Sequence, residues 1–306
     1  MNAPAQPVAV SAAQSIDGRG LCAAVSAFLI WGLMPLYMKL LQAVPVLQIT
    51  AHRMLWGCLV GFGWLAARSD TSQMWNALAN PQVRLRLCAS ATFIAINWFI
   101  FMWGIATAHV VEISLGYFIG PLLNVALGVV CFRERLNRLQ WLSVAIAAAG
   151  VLYLTWAAGK PPYVSIALAL SFGLYGLVRK TANVEALPGF TGETLLLLPF
   201  AAGYVLWCEL TGSGAMSSGS LGTTSLLLLG GPLTAVPLVL FAVGARRIPL
   251  FTVGLLQYIA PSLQLACAVL VFGEPFSGPR VIGFAMIWTA LALFALDGVL
   301  AARRRH

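Results

Sequence analysis

Charge is the first thing in short supply. Charged residues make up 9% of this 306-residue chain, against roughly 25% in a soluble domain. Acids are the scarcer sign, nine Asp and Glu against 18 Lys and Arg. With 60% hydrophobic residues, too few polar groups remain to cover a water-exposed surface. That excludes a sizeable soluble enzyme domain, a nucleic-acid-binding module and a disordered scaffold. Histidine is nearly absent: His52, His109 and His306 are too few and too scattered for a metal cluster. The six cysteines all lie in apolar stretches with no C-x-x-C pair, so they read as small buried hydrophobes, not a disulfide framework. No H-E-x-x-H, G-x-S-x-G or Walker-type glycine loop occurs, so neither cofactor nor metal is expected.

What is present is long apolar runs. They fall at 21–43, 46–67, 87–107, 110–132, 139–157, 162–178, 187–208, 222–244, 249–272 and 280–300. At about 20 residues per crossing these are ten membrane helices, because open strands would leave backbone groups unsatisfied in lipid. The connections are short, which predicts antiparallel packing between sequential helices. Fourteen of the 18 basic residues fall in alternate loops or tails, with Lys160 and Arg280 on the other side and Lys39 and Arg53 inside spans. The positive-inside rule then puts both termini in the cytoplasm. The net charge of +9 is therefore topology, not a nucleic-acid footprint. Residues 1–20 read as a short tail, without the basic start and cleavage pattern of a signal peptide.

The chain also repeats itself. A shift of 140 residues brings Pro121 onto Pro261, Asn124 onto Gln264, Phe132-x-Glu134 onto Phe272-x-Glu274, Phe101 and Gly104 onto Phe241 and Gly244, and Lys39 onto Arg179. Trp31-Gly32-Leu33 fits Tyr175-Gly176-Leu177 better at 144. An odd five spans per half turns the second half upside down, and inverted repeats place a binding site near the membrane midplane. The expected organisation is a cytoplasmic tail (1–20), a first five-helix repeat (21–157), a second, inverted one (162–300) and a basic tail (301–306).

Several stretches carry a resemblance. They are Trp31-Gly32, Thr50-Ala51-His52-Arg53, Asn97-Trp98, the run from Glu112 through Ile119 with Pro121, Leu122 and Asn124, Tyr175 to Lys180, Thr234-Ala235-Val236-Pro237-Leu238, and Gln257-Tyr258-Ile259 with Pro261. They resemble the drug/metabolite transporter superfamily, EamA type, and within it the RarD-like proteins. The resemblance implies an all-α membrane protein of ten helices in two inverted five-helix repeats, in a bacterial inner membrane. It also implies export of amino acids, drugs such as chloramphenicol, or other small metabolites.

Ionisable residues inside spans are costly and each calls for a reason. Arg53, seven residues into its span, either pairs with Glu112 or faces a cavity to hold an anionic substrate group. His52 points about 100° away from it on the helix and is packed or functional. Lys39 snorkels or gates; Glu112 is a fixed partner or a protonatable coupling group. The repeat sets Arg53 opposite Glu193, which suggests two half-gates: Arg53, Lys39 and Glu112 outside; Glu193, Arg179 and Lys180 inside. The rival reading makes Arg179 and Lys180 ordinary flank charges. Trp31, Trp98, Tyr117, Tyr175 and Tyr258 suit an aromatic-lined pocket as well as plain packing. Asn97, Asn124 and Gln257 are candidates to orient substrate, and Pro121 and Pro261 to kink their helices. Glu134 and Glu274 read as loop-fixing or capping groups. Gly57-x-x-x-Gly61 suits a homodimer contact or packing within one chain. The expectation is a secondary exporter working on a small molecule in the lipid bilayer; the alternative is a channel-like or scrambling protein without a saturable site.

Overall fold

The computed structural model describes residues 17–107, 109–159, 161–273 and 278–303. Lys160, Glu274, Arg304, Arg305 and the first sixteen residues lie outside them.

Helices carry almost all of the described chain. Residues Gly18–Gly32 (α1) and Met34–Leu40 (α2) together make the first crossing. Val46–Ala67 (α3) makes the second, and Pro81–Ala106 (α5), Val110–Phe132 (α6) and Arg138–Ala158 (α7) complete the first half. The second half runs Tyr163–Thr181 (α8), Ala186–Leu210 (α9) and Leu221–Arg247 (α10). Leu250–Gln257 (α11) and Ile259–Ala266 (α12) follow, then a π-helical turn over Cys267–Val271, and Pro279–Arg303 (α13). Among the described residues, nine helical segments are long and apolar enough to cross a membrane. The tenth, α3, matches them in length but carries Gln48, His52 and Arg53. Polarity removes it from the hydropathy count.

One element departs from the expected spans. Residues between the second and third crossings form a short helix, Thr71–Ala79 (α4), with Met74 and Ala77 buried against α5 and α9. The i, i+3, i+4 spacing of Met74, Ala77 and Leu78 was the available signal. Boundary chemistry elsewhere is local: Asn137 and Gln140 form a reciprocal capping box at α7, and Gly159 ends that helix in the left-handed region.

Packing between sequential helices is not the dominant contact. Each of the most extensive interfaces joins a helix of the first half to one of the second: α6 with α8, α3 with α10, α7 with α13, α1 with α10, α3 with α9, α5 with α8 and α6 with α11. The halves are interleaved. Their contacts also exchange under a swap of corresponding helices. The α1–α10 interface mirrors α8–α5, and α6–α8 mirrors the contact of α11 and α12 with α1, while α3–α9, α6–α11 and α7–α13 map onto themselves. The register between halves falls from 144 residues near Trp31 through 141 at the end of the first crossing to 140 beyond it. Lys39 Nζ sits 4.2 Å over the Phe272 ring and Lys180 Nζ 5.2 Å over Phe132, so Lys39 corresponds to Lys180 rather than to Arg179.

The two prolines act differently. Near Pro261 the helix is interrupted at Tyr258, between α11 and α12. Around Pro121, α6 stays one helix. A second interruption, at Leu33, follows from Pro35, which frees the carbonyl of Trp31. Gln264 Nε2 from α12 donates to that carbonyl (3.3 Å), which is how a broken helix stays satisfied within a membrane. Gly32 makes the close approach possible, since a Cβ there would stand 2.6 Å from Leu263 Cβ.

Basic residues gather at one end of the bundle. The start of α1 is tied to the end of α10 by Asp17 and Arg247 (2.9 Å). Arg86 at the start of α5 donates to Thr181 O beside the end of α8, and Arg246 reaches Val184 O. On the same face Glu134 accepts from the backbone N–H groups of Leu250 (2.7 Å) and Phe251 (2.9 Å), capping α11, with Lys180 Nζ at 3.7 Å.

A candidate substrate cavity open at one face

A cavity of about 440 Å³ runs from the loop after α2 to mid-bundle, within the usual range for small-molecule sites. Its walls are mostly apolar. Trp31, Trp98, Phe101 and Phe172 supply aromatic faces, and Met34, Met38, Leu41, Val44 and Ile49 line it toward the loop. Arg53, Asn97, Tyr117, Thr234, Gln257 and Gln264 bring the polar groups. Cavity-facing positions on α1, α3, α5, α6, α8, α10, α11 and α12 converge here because the halves interleave around it.

Arg53 is the charged member. Its Nε donates to Thr234 Oγ1 (2.9 Å), which in turn donates to Gly230 O (2.8 Å). The phenols of Tyr37 and Tyr117 lie within electrostatic reach. Among the described residues no carboxylate pairs with this guanidinium. Of the two readings of Arg53, the pair with Glu112 does not form. Glu112 instead accepts from Val164 N (3.3 Å) and stands 3.9 Å from His109, because α6 begins against the start of α8, not against α3. Lys39 is exposed on Phe272, so the outer trio of Arg53, Lys39 and Glu112 is dispersed.

Both amide hydrogens of Asn97 are given to α8, at Leu168 O (2.9 Å) and Ser171 Oγ (3.0 Å), which leaves its carbonyl oxygen as the acceptor. Gln257 Oε1 accepts from Asn124 Nδ2 (2.7 Å), which leaves the Gln257 amide hydrogens as donors. Asn124 itself is fully buried behind Gln257 and does not line the cavity. Nor do two of the expected aromatics. Tyr258 is buried against Phe284, with its hydroxyl on Phe118 O (3.1 Å). Tyr175 is buried below the cavity. His52 is buried on another face of α3, as its 100° offset from Arg53 requires. Gly57 and Gly61 pack on Phe190 and Thr191 of α9 and on α10, so that pair is used inside the chain.

Beneath the cavity the route is blocked. Phe172 and Trp31 form its floor, and Phe172, Tyr175 and Phe241 pack with ring centroids 5.2 to 6.0 Å apart. Tyr175 reaches in turn toward Arg179 and Glu193. Arg179, Glu193 and Ser90 close the basic end. Arg179 Nη1 lies 3.3 Å from Glu193 Oε1, Nη2 donates to Ala186 O (3.0 Å), and Ser90 Oγ donates to Glu193 (2.5 Å). Both charges are almost fully buried. Gly189 makes room, since a Cβ there would fall 2.1 Å from Arg179 Nη1. Of the expected inner trio, Lys180 is absent from this cluster; it belongs to Glu134 and the carbonyls of Ala245 and Ile248.

Thr234, Phe172, Phe28, Gln264 and Ser90 were not singled out as site residues from sequence. Thr234 had a signal in the Thr-Ala-Val-Pro run, and Phe172 in its helical spacing from Tyr175. Ser90 had none, because a lone serine in an apolar helix is unremarkable until its neighbour is known.

Membrane-length helices around a mid-bundle cavity, open at one face and blocked at the other, are the architecture of a polytopic membrane transporter. Residues 18–156 match the EamA-like transporter family. An uncharacterized transporter of Pseudomonas aeruginosa is 43% identical over 94% of this chain and 96% of its own. Protein RarD of Escherichia coli is 38% identical over 94% and 97%. A chloramphenicol-sensitive protein RarD of Pseudomonas aeruginosa is 31% identical over 95% and 98%. A solved structure titled only as a protein shares the fold, with TM-score 0.70 and 21% identity over 92% of this chain and 98% of that one. The chain belongs to the EamA-like transporter family, among its RarD-like members.

Proposed function

We propose that this transporter exports small amphipathic carboxylates, amino acids foremost, by alternating access across the bacterial inner membrane, with both termini in the cytoplasm. One observation carries the reading: Arg53 presents to a mostly apolar, aromatic-walled cavity a guanidinium that no carboxylate pairs among the described residues. A cation inside a membrane span without a counter-charge is strongly disfavoured, and a planar guanidinium suits a carboxylate bidentately. The Gln257 amide supplies a further donor. Asn97 Oδ1 offers an acceptor to an ammonium, which the rings of Trp31 and Trp98 also favour, and the same rings hold an apolar side chain. The first five-helix repeat (21–157) and the second (162–300) then rock against one another about this site.

The test is exchange in proteoliposomes loaded with a mixed pool of amino acids, aromatic acids and chloramphenicol, the last included because one relative is named for it. Release is read by mass spectrometry for the unmodified protein and for Arg53→Gln. Saturable release of a few carboxylates, reduced at least about a hundredfold in Arg53→Gln, is expected, since removing one partner of a buried charge contact costs about 3 kcal/mol or more. Unselective leakage, identical in both proteins, would establish the channel-like alternative instead.

A further inference from the structure

We propose that the cavity's open face closes only around an anion, so that the protein is an obligate exchanger and not a carrier that returns empty. The proposal rests on the reading of Arg53 as the anion site and adds to it the reason why the empty cycle is barred.

The two ends of the bundle are built from corresponding residues. Glu193 in α9 and Arg53 in α3 are each the eighth residue of their helix. Ser90, which donates to Glu193, corresponds to Gly230, against which the Arg53 side chain packs. The lysine–phenylalanine contacts fix the register at the ends of α2 and α8, so Arg179 corresponds to Met38. The blocked end is therefore Glu193 with Arg179 and Ser90, and the open end is Arg53 with Met38 and Gly230. One end carries both members of an ion pair; the other carries a cation and a thioether.

Closing the open end in the manner of the blocked one would bring Met38 of α2 over Arg53, whose side chain already lies against α10. Water would leave the guanidinium, and Met38 offers it no charge. No described acid stands ready to replace it. Glu112 is held at the start of α8, and Glu209 accepts from the N–H groups of Met216 and Ser217. An uncompensated buried charge is far more costly than a paired one, so the empty protein stays open. A substrate carboxylate takes the place that a pairing side chain takes at the other end. Loading then becomes a condition of closure.

The test needs no knowledge of the substrate. Gln42 lies exposed at the mouth of the cavity. Gln42→Cys is reconstituted and its labelling by a membrane-impermeant maleimide is timed with no solute added, subtracting the signal of the parent with Gln42. Met38→Glu supplies the missing carboxylate and Arg53→Met removes the charge that needs it. Each, combined with Gln42→Cys, is expected to slow labelling about tenfold, because each lets the empty protein close. Met38→Gln is expected to leave the rate unchanged. Labelling as fast in both Met38→Glu and Arg53→Met as in the parent overturns the proposal. A second arm measures release of the same amino-acid and aromatic-acid pool into empty medium and into medium containing that pool. At least tenfold stimulation by the external pool is expected, abolished in Met38→Glu. Saturable, Arg53-dependent release that ignores the external pool overturns obligate exchange while the carboxylate reading stands. No saturable release at all sinks the carboxylate reading, and the labelling arm still decides the closure rule.

Discussion

The two ends of this molecule are made from the same parts in different states. Phe172, Tyr175 and Phe241 beneath the cavity correspond to Phe28, Trp31 and Phe101, by shifts of 144, 144 and 140 residues. The first three pack together. Of the second three, Phe28 and Trp31 touch at 5.8 Å and join the same cluster through Phe241 and Phe172, at 5.7 to 6.2 Å, while Phe101 lies on the cavity wall. The rings of both halves thus meet on one side of the cavity, and the other side is left open. The polar layer differs in kind: a complete ion pair at the blocked end, a lone cation at the open one. The aromatic parts have counterparts in both halves, whereas the charges do not. Loss of Arg53 is therefore expected to remove transport, and loss of the Arg179–Glu193 pair to remove stability of the blocked end.

The second of these is the sharper break. Arg179→Leu leaves Glu193 buried with only Ser90 for a partner, and removing one member of a buried pair costs about 3–5 kcal/mol. Thermal unfolding in detergent micelles should show a large loss for Arg179→Leu and for Glu193→Leu singly. The double replacement, which leaves no charge unpaired, should recover much of it. Full additivity of the two losses would mean that the side chains do not act as a pair.

Much of this was legible in the sequence, and what was not has physical causes. Hydropathy and alternate-loop charge sufficed for the crossings, because a span in lipid must satisfy its backbone internally and leaves a long signal. The Arg53–Glu193 correspondence was visible as a 140-residue shift. Arg53 as a cavity residue followed from its depth and its cost. Partners were the hidden part. The Arg53–Glu112 pairing inferred from similar depth failed because depth fixes one coordinate and not azimuth around the bundle. Tyr258 and Asn124, both in the most recognisable stretches, serve the packing of α6 on α11 and stand behind the cavity wall. A one-residue register shift, invisible among leucines and alanines, separated Lys39 from Arg179 and matched it to Lys180.

A smaller perturbation tests whether the blocked end depends on fit as well as charge. Gly189 faces the Arg179 guanidinium, and the Cβ of Gly189→Ala would overlap Nη1. Alanine favours a helix by about 0.8–1.0 kcal/mol over glycine, so a neutral site would be stabilised. Overpacking here is expected to reverse that sign with a net loss of about 1–2 kcal/mol. An increase in unfolding temperature for Gly189→Ala would show that Arg179 moves aside freely, and that its position is set by Glu193 alone.

The smallest effect belongs to the rim of the blocked end. Asp17 accepts from Arg247 Nη1 and from Arg19 N (3.0 Å). The Arg247 hydrogen bond, followed by the Arg19 backbone bond, holds its carboxyl below the usual aspartate value. A carboxyl whose folded value is depressed binds fewer protons folded than unfolded. Its contribution is complete above the ordinary aspartate range and is lost as pH falls through that range to the folded value. The pair is open to water, so salt screens it. Asp17→Asn should therefore lower the unfolding temperature slightly at neutral pH in dilute buffer. The difference from the unmodified protein should vanish in acid or in high salt. A difference that survives both would assign the contact's value to capping of α1, where Asp17 also stands, and not to its charge.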